Sequence, residues 1–195
     1  MFVKEIAKYK FLNQLAEADG TVIFGGCSDV NIPLGELKQA FALSDSIYNR
    51  SFSELFVADA SKVYCECVAE LCPDTVLVHI GEADVSDFGG KETAFEENYR
   101  ALIGTIREKN KGCRIVIVSL KNYDNDITVA EINKLLGEIA DSEKCDFENV
   151  SASSAWNVKE SSETTSFIYN TGFVRPLNVK RPIYNLVRIL FCYEG

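Results

Sequence analysis

The stretch TVIFGGCSDVNIPLGELKQAF, Thr21 to Phe41, gathers a thiol, a hydroxyl and a carboxylate on one turn. A run of β-formers ends in Gly25 and Gly26, Cys27-Ser28-Asp29 follows, and Pro33 opens a helix. A serine so placed can act as a nucleophile if a base lies within hydrogen-bond reach and a third group orients that base. The chain has a single histidine, His79, inside the apolar run TVLVHI and two residues before Gly81. That position reads as a core histidine satisfied by a hydrogen bond, its side chain directed into a helix–sheet layer below the strand ends. A Ser28–His79 dyad is the alternative. Cys27 could serve as a thiolate only beside a helix N-terminus or a cation, and reads better as a small residue fitted to a cramped turn. Asp29, Glu82 and Asp84 could form a carboxylate cluster. With no H-x-x-x-H pair and no glycine-rich phosphate cradle, turn capping is the reading taken, and no metal or cofactor is expected.

Composition narrows the classes. At 195 residues the chain reads as one domain over 1–195, long enough to bury a full core. Its hydrophobic content of 47% and charged content of 25% are those of an ordinary globular protein. A formal charge of −9 without a basic stripe repels polyanions, so nucleic acid is not an expected partner. Lys4, Glu5, Lys8 and Lys10 interrupt the apolar residues of the N-terminus, which leaves no signal-peptide core. No segment reaches the roughly 18 to 20 consecutive apolar residues of a membrane span. A cytoplasmic protein without a membrane partner is expected. Seven cysteines, an odd count without a secretion signal, point to reduced thiols. Cys65, Cys67 and Cys72 sit in a helical pattern, and the one histidine lies in a strand, so they read as small core residues and not as zinc ligands.

The elements that must position these groups alternate. Helical spacing is read over residues 3–17 (Ile6, Tyr9 and Leu12 or Asn13) and from Pro33 to about Ala42. A further helix from about Ser53 carries Phe56, Ala60, Val63, Cys67 and Leu71 on one face. Another, from about Glu92 to Lys109, turns Phe95, Tyr99, Leu102, Ile103 and Ile106 inward. Thr128 to Ala140 has Val129, Ile132, Leu135 and Ile139 on one side, and Pro182 caps a last helix with Ile183, Leu186, Val187 and Leu190. Between them lie the strand runs TVIF, SIYN, TVLVHI, RIVIVSL and CDFENV. Residues 151–166 read as a long polar loop. Such alternation predicts an α/β fold with a parallel sheet covered on both faces, and a ligand site in the loops after the strands.

Those loops carry a resemblance. VIFGGCSDV resembles the first block of the SGNH (GDSL-type) hydrolases, SIYNRSFSEL their second, HIGEADV their third, and VAEINKLLGEIA the helix after their fourth strand. The match runs in order over most of the chain. It implies a three-layer α/β/α, flavodoxin-like fold with five parallel strands in the order 2-1-3-4-5, Ser28 at the end of the first strand as nucleophile, and ester hydrolysis as the family's activity.

Each position carried over shows a departure. Cys27 replaces the usual acidic neighbour of the serine. Ser51, or Ser53 in a slipped register, stands where a glycine amide serves the oxyanion. Gly81 and Asp84 agree with the third block, but Ala83 replaces the asparagine whose side chain donates to the oxyanion, and alanine has no donor. The family's histidine before the last helix is replaced by Arg175 or Asn178, and arginine cannot accept a proton. These departures point to a binding or interaction protein that has lost its base, with a small acyl or carbohydrate ligand; a guanidinium near a helix N-terminus and free amides would let Arg175 or Arg181 anchor an anion there. The alternative is an active serine esterase or acetylhydrolase that uses Ser28 with a non-standard base.

Overall fold

The computed structural model describes residues 2–44, 46–122, 125–150 and 182–192. Its three central strands are β1 (Thr21–Gly25), β3 (Thr75–His79) and β4 (Arg114–Val118), β-branched and apolar runs that are buried nearly throughout. Strands of this kind need cover on both faces. The edges are three-residue strands, β2 (Ile47–Asn49) and β5 (Asp146–Glu148). All pairings are parallel, in the order β2-β1-β3-β4-β5, as the alternation and the resemblance predict.

Period-two alternation sorts the layers. Val22, Phe24, Val76, Val78, Ile115 and Ile117 pack in one core with α1 (Val3–Asn13), α3 (Val57–Cys67), α4 (Glu92–Lys109) and α5 (Ile127–Glu143). Ile23, Leu77, Val116 and Val118 pack in a second core with α2 (Leu34–Phe41) and α6 (Pro182–Phe191). The result is an α/β/α sandwich. Asp126 starts α5 by accepting the Thr128 and Val129 amides, at 2.7 and 3.2 Å. Arg100 of α4 reaches Glu143 of α5 at 2.7 Å, joining neighbours in one layer.

Several boundaries differ from the reading of the sequence. Helix α1 stops at Asn13 and not at residue 17, because the chain tightens into i→i+3 bonds and then passes through Asp19 and Gly20 at positive φ. Phe56 precedes α3 and stays 36% exposed, while Leu71 is buried from a separate 3-10 turn, Ala69–Leu71. On α5 it is Leu136, not Leu135, that is fully buried. Both positions fit a 3.6-residue period, so docking on the sheet made that choice. Residues 151–166, read as a loop, lie outside the described residues.

Candidate active site

The strand order reverses around β1, so its carboxyl end and that of β3 form the crevice in which such folds bind ligands. Register places Gly25 beside His79, and the Gly26 amide extends the ladder by donating to His79 O at 3.0 Å. His79 shares its side of β3 with Leu77, toward α6, and its ring meets Phe191 edge-on with centroids 4.9 Å apart. A 3-10 turn, Cys27–Asp29, then folds Asp29 back over the strand end. Asp29 Oδ2 accepts from the Gly26 amide at 3.1 Å and pairs with His79 Nδ1 at 2.7 Å. A Cβ on Gly25 would lie 2.0 Å from that oxygen, so the approach requires glycine.

Asp29 and His79 are each 2% exposed. The carboxylate accepts, so Nδ1 carries the proton. Burial pulls the imidazole pKa down, but the charge and hydrogen bond of Asp29 outweigh it and leave the pKa raised. His79 Nε2 is sealed from solvent and has no hydrogen-bond partner among the described residues. Among the described residues, the core histidine read from the sequence is thus satisfied at one nitrogen only.

Ser28 is exposed, and its Oγ donates to Asp29 Oδ1 at 3.4 Å, not to the imidazole. Its amide donates to Glu82 Oε2 at 3.0 Å. The other positions that the resemblance assigns to an oxyanion are no more open. Ser51 is buried, with its amide on Asn49 Oδ1 at 3.0 Å and its carbonyl on Tyr9 Oη at 2.6 Å. Ser53 lies exposed on a turn, and Ala83 brings no donor. Asp84 accepts the Val57 amide at 3.1 Å, and burial pushes its carboxyl pKa up to about 6. Asp29, Glu82 and Asp84 therefore each receive a backbone N–H, the chemistry of turn caps. Among the described residues no group of three or more His, Cys, Asp or Glu is placed to hold a metal.

Residues that the motifs did not single out complete the setting. Asn49, last in β2, receives the Ser51 amide on its oxygen and donates Nδ2 to Asp29 O at 2.7 Å, tying the first two loops together. Lys121, after β4, joins Ser28, His79, Glu82, Val85, Leu120 and Val129 around a cavity of about 90 Å³. A polar residue at the end of a strand was the only signal for either. Cys27 is exposed. Cys65 and Cys72 are exposed as well, which corrects their reading as core residues; Cys67 alone of that group is buried. Arg175, Asn178 and Arg181 lie outside the described residues.

No protein-family model matches the chain, and no curated protein does. Solved structures do. A proposed platelet activating factor from Streptococcus pneumonia is 17% identical and superposes with a TM-score of 0.68 over 97% of this chain and 92% of its own. A GDSL-like lipase from Bacteroides thetaiotaomicron is 15% identical, with a TM-score of 0.61 over 74% and 77%. An acetylxylan esterase from Geobacillus stearothermophilus, solved as a catalytic mutant, is 16% identical, with a TM-score of 0.56 over 82% and 96%. The chain has the fold of the SGNH (GDSL-type) hydrolases.

Proposed function

We propose that this is an SGNH-fold protein without ester hydrolase turnover, which uses the pocket at its strand ends to bind a small acyl or carbohydrate ligand. The observation that carries the reading is the Glu82 carboxylate on the Ser28 amide at 3.0 Å. Acyl transfer builds negative charge on an oxygen that must be met by preorganised donors, each worth roughly 10² to 10³ in turnover. Here one such donor is spent on a carboxylate, whose charge would oppose the developing oxyanion, and a second is spent on Asn49. Ala83 supplies none. Among the described residues, moreover, the Ser28 hydroxyl is paired with the Asp29 carboxylate and not with the imidazole. Among the described residues no helix is long and apolar enough to cross a membrane. A cytoplasmic location, which fits seven free thiols, belongs to this proposal.

The second reading, an active serine esterase, is favoured by the Asp29–His79 bond at 2.7 Å, since an acid on Nδ1 is how a catalytic imidazole is oriented. The assay that separates the two compares wild type, Ser28→Ala and His79→Ala on a short-chain acyl ester and an acetylated sugar. The expected result is a rate close to buffer in all three. Wild-type turnover well above buffer that collapses on Ser28→Ala would establish the esterase.

A further inference from the structure

The amide of Ser28 lies at the mouth of a pocket, and the protein covers that amide with its own carboxylate. The placement of this carboxylate is built into the chain. Gly81, at φ 131°, turns the strand end so that Glu82 returns toward β1; a Cβ at Gly81 would press on Phe95 at 3.2 Å, and the backbone conformation itself disfavours any other residue. Gly26 clears the other side, since a Cβ there would stand 3.1 Å from Glu82 Oε2. Two glycines on two loops thus make room for one carboxylate on one amide. Beside it Val85, Leu120 and Val129 give the cavity of about 90 Å³ an apolar wall, and Lys121 lines it as well.

We infer that Glu82 is an internal ligand holding the anion position of this pocket, so that the protein as it stands turns away carboxylates and admits neutral ligands that donate a hydroxyl hydrogen to Glu82. Two carboxylates cannot share one N–H unless one of them takes a proton. A hydroxyl can approach, because it donates to the carboxylate and places its carbon skeleton on the apolar wall. The inference rests on the reading of the pocket as a binding site and names what sets its selectivity.

Removing the carboxylate should convert the pocket to a site for small monocarboxylates. The test is an amide NMR titration of the full chain with sodium acetate near neutral pH, with sodium chloride at matched ionic strength as the control. Wild type is expected to show no saturable shift around Ser28. Glu82→Ala is expected to bind acetate at least about tenfold more tightly, a difference that one charge-assisted hydrogen bond supplies. If the alanine variant does not fold, Glu82→Gln, which drops the charge and keeps an acceptor for the amide, is expected to shift in the same direction. Equal acetate binding by wild type and the folded variant, or none by either, would overturn the inference. The ester assay on wild type judges the underlying reading separately: an active wild type removes that reading whatever acetate does, whereas an inactive one with no gain in Glu82→Ala removes only the role of Glu82.

Discussion

Asp29 accepts from the Gly26 amide and pairs with His79 through Oδ2, while its own carbonyl takes Asn49 Nδ2. Truncation to alanine would leave a buried imidazole N–H without its acceptor, and breaking a buried pair by removing one member costs about 3 to 5 kcal/mol. Because a neutral imidazole leaves no unpaired buried charge behind, the lower end applies. Asp29→Ala is expected to lose about 3 kcal/mol in urea unfolding. A loss below about 1 kcal/mol would show that the acid–imidazole pair does not support the fold. The same side chain serves two neighbours: the acid that pairs with the imidazole through Oδ2 also accepts the serine hydroxyl on Oδ1, at 3.4 Å.

At the scale of elements, the loop after β3 does more than carry Glu82, since Asp84 on the same turn pins the first turn of α3 through the Val57 amide. A carboxylate at a helix start is favoured by the backbone N–H groups, yet here burial outweighs that help and lifts the pKa to about 6 from an ordinary 3.8. Between these two values the folded state holds more protons than the unfolded state. Stability from this group is therefore present at low pH and falls as pH rises through about 6. Asp84→Asn keeps an acceptor for Val57 and has no proton to lose. Relative to wild type it should be more stable near neutral pH and lose that advantage as pH drops toward 4, measured as unfolding midpoints across the range. An advantage that is constant with pH would assign the effect to packing and not to titration.

For the whole molecule, 29 acidic residues stand against 20 basic ones, and this excess repels itself. Opposing it, among the described residues, are surface bridges such as those of Arg100 to Glu96 and Glu143 and of Arg107 to Glu143, each worth about 0 to 1 kcal/mol. Both effects are screened by salt, so the sign of the salt response shows which is larger. Raising monovalent salt from about 0.01 M to about 1 M shortens the screening length from roughly 30 to roughly 3 Å. With nine uncompensated charges set against bridges of this small individual worth, the thermal midpoint is expected to rise. A fall would show that the α4–α5 bridges dominate.

Strands β1, β3 and β4 were legible because an apolar, β-branched run has few other places to go than the centre of a covered sheet, and the connecting helices then set a parallel order. Ser28 at the end of β1 followed from that, as did the lack of a donor at Ala83, which is a property of residue type alone. What the sequence could not decide is how side chains 50 and more residues apart are paired. His79 was read as buried below the strand ends, whereas it is buried at the carboxyl end of β3 and lines the same cavity as Ser28; that its partner is Asp29 depends on the register of β1 on β3 and on a turn that folds back over Gly25. The choice of Leu136 over Leu135 depends on how α5 rolls against the sheet. That Glu82 spends the amide of Ser28 could be seen only in three dimensions, because a backbone N–H is present at every residue except proline and its availability is decided by what the fold brings within about 3 Å of it.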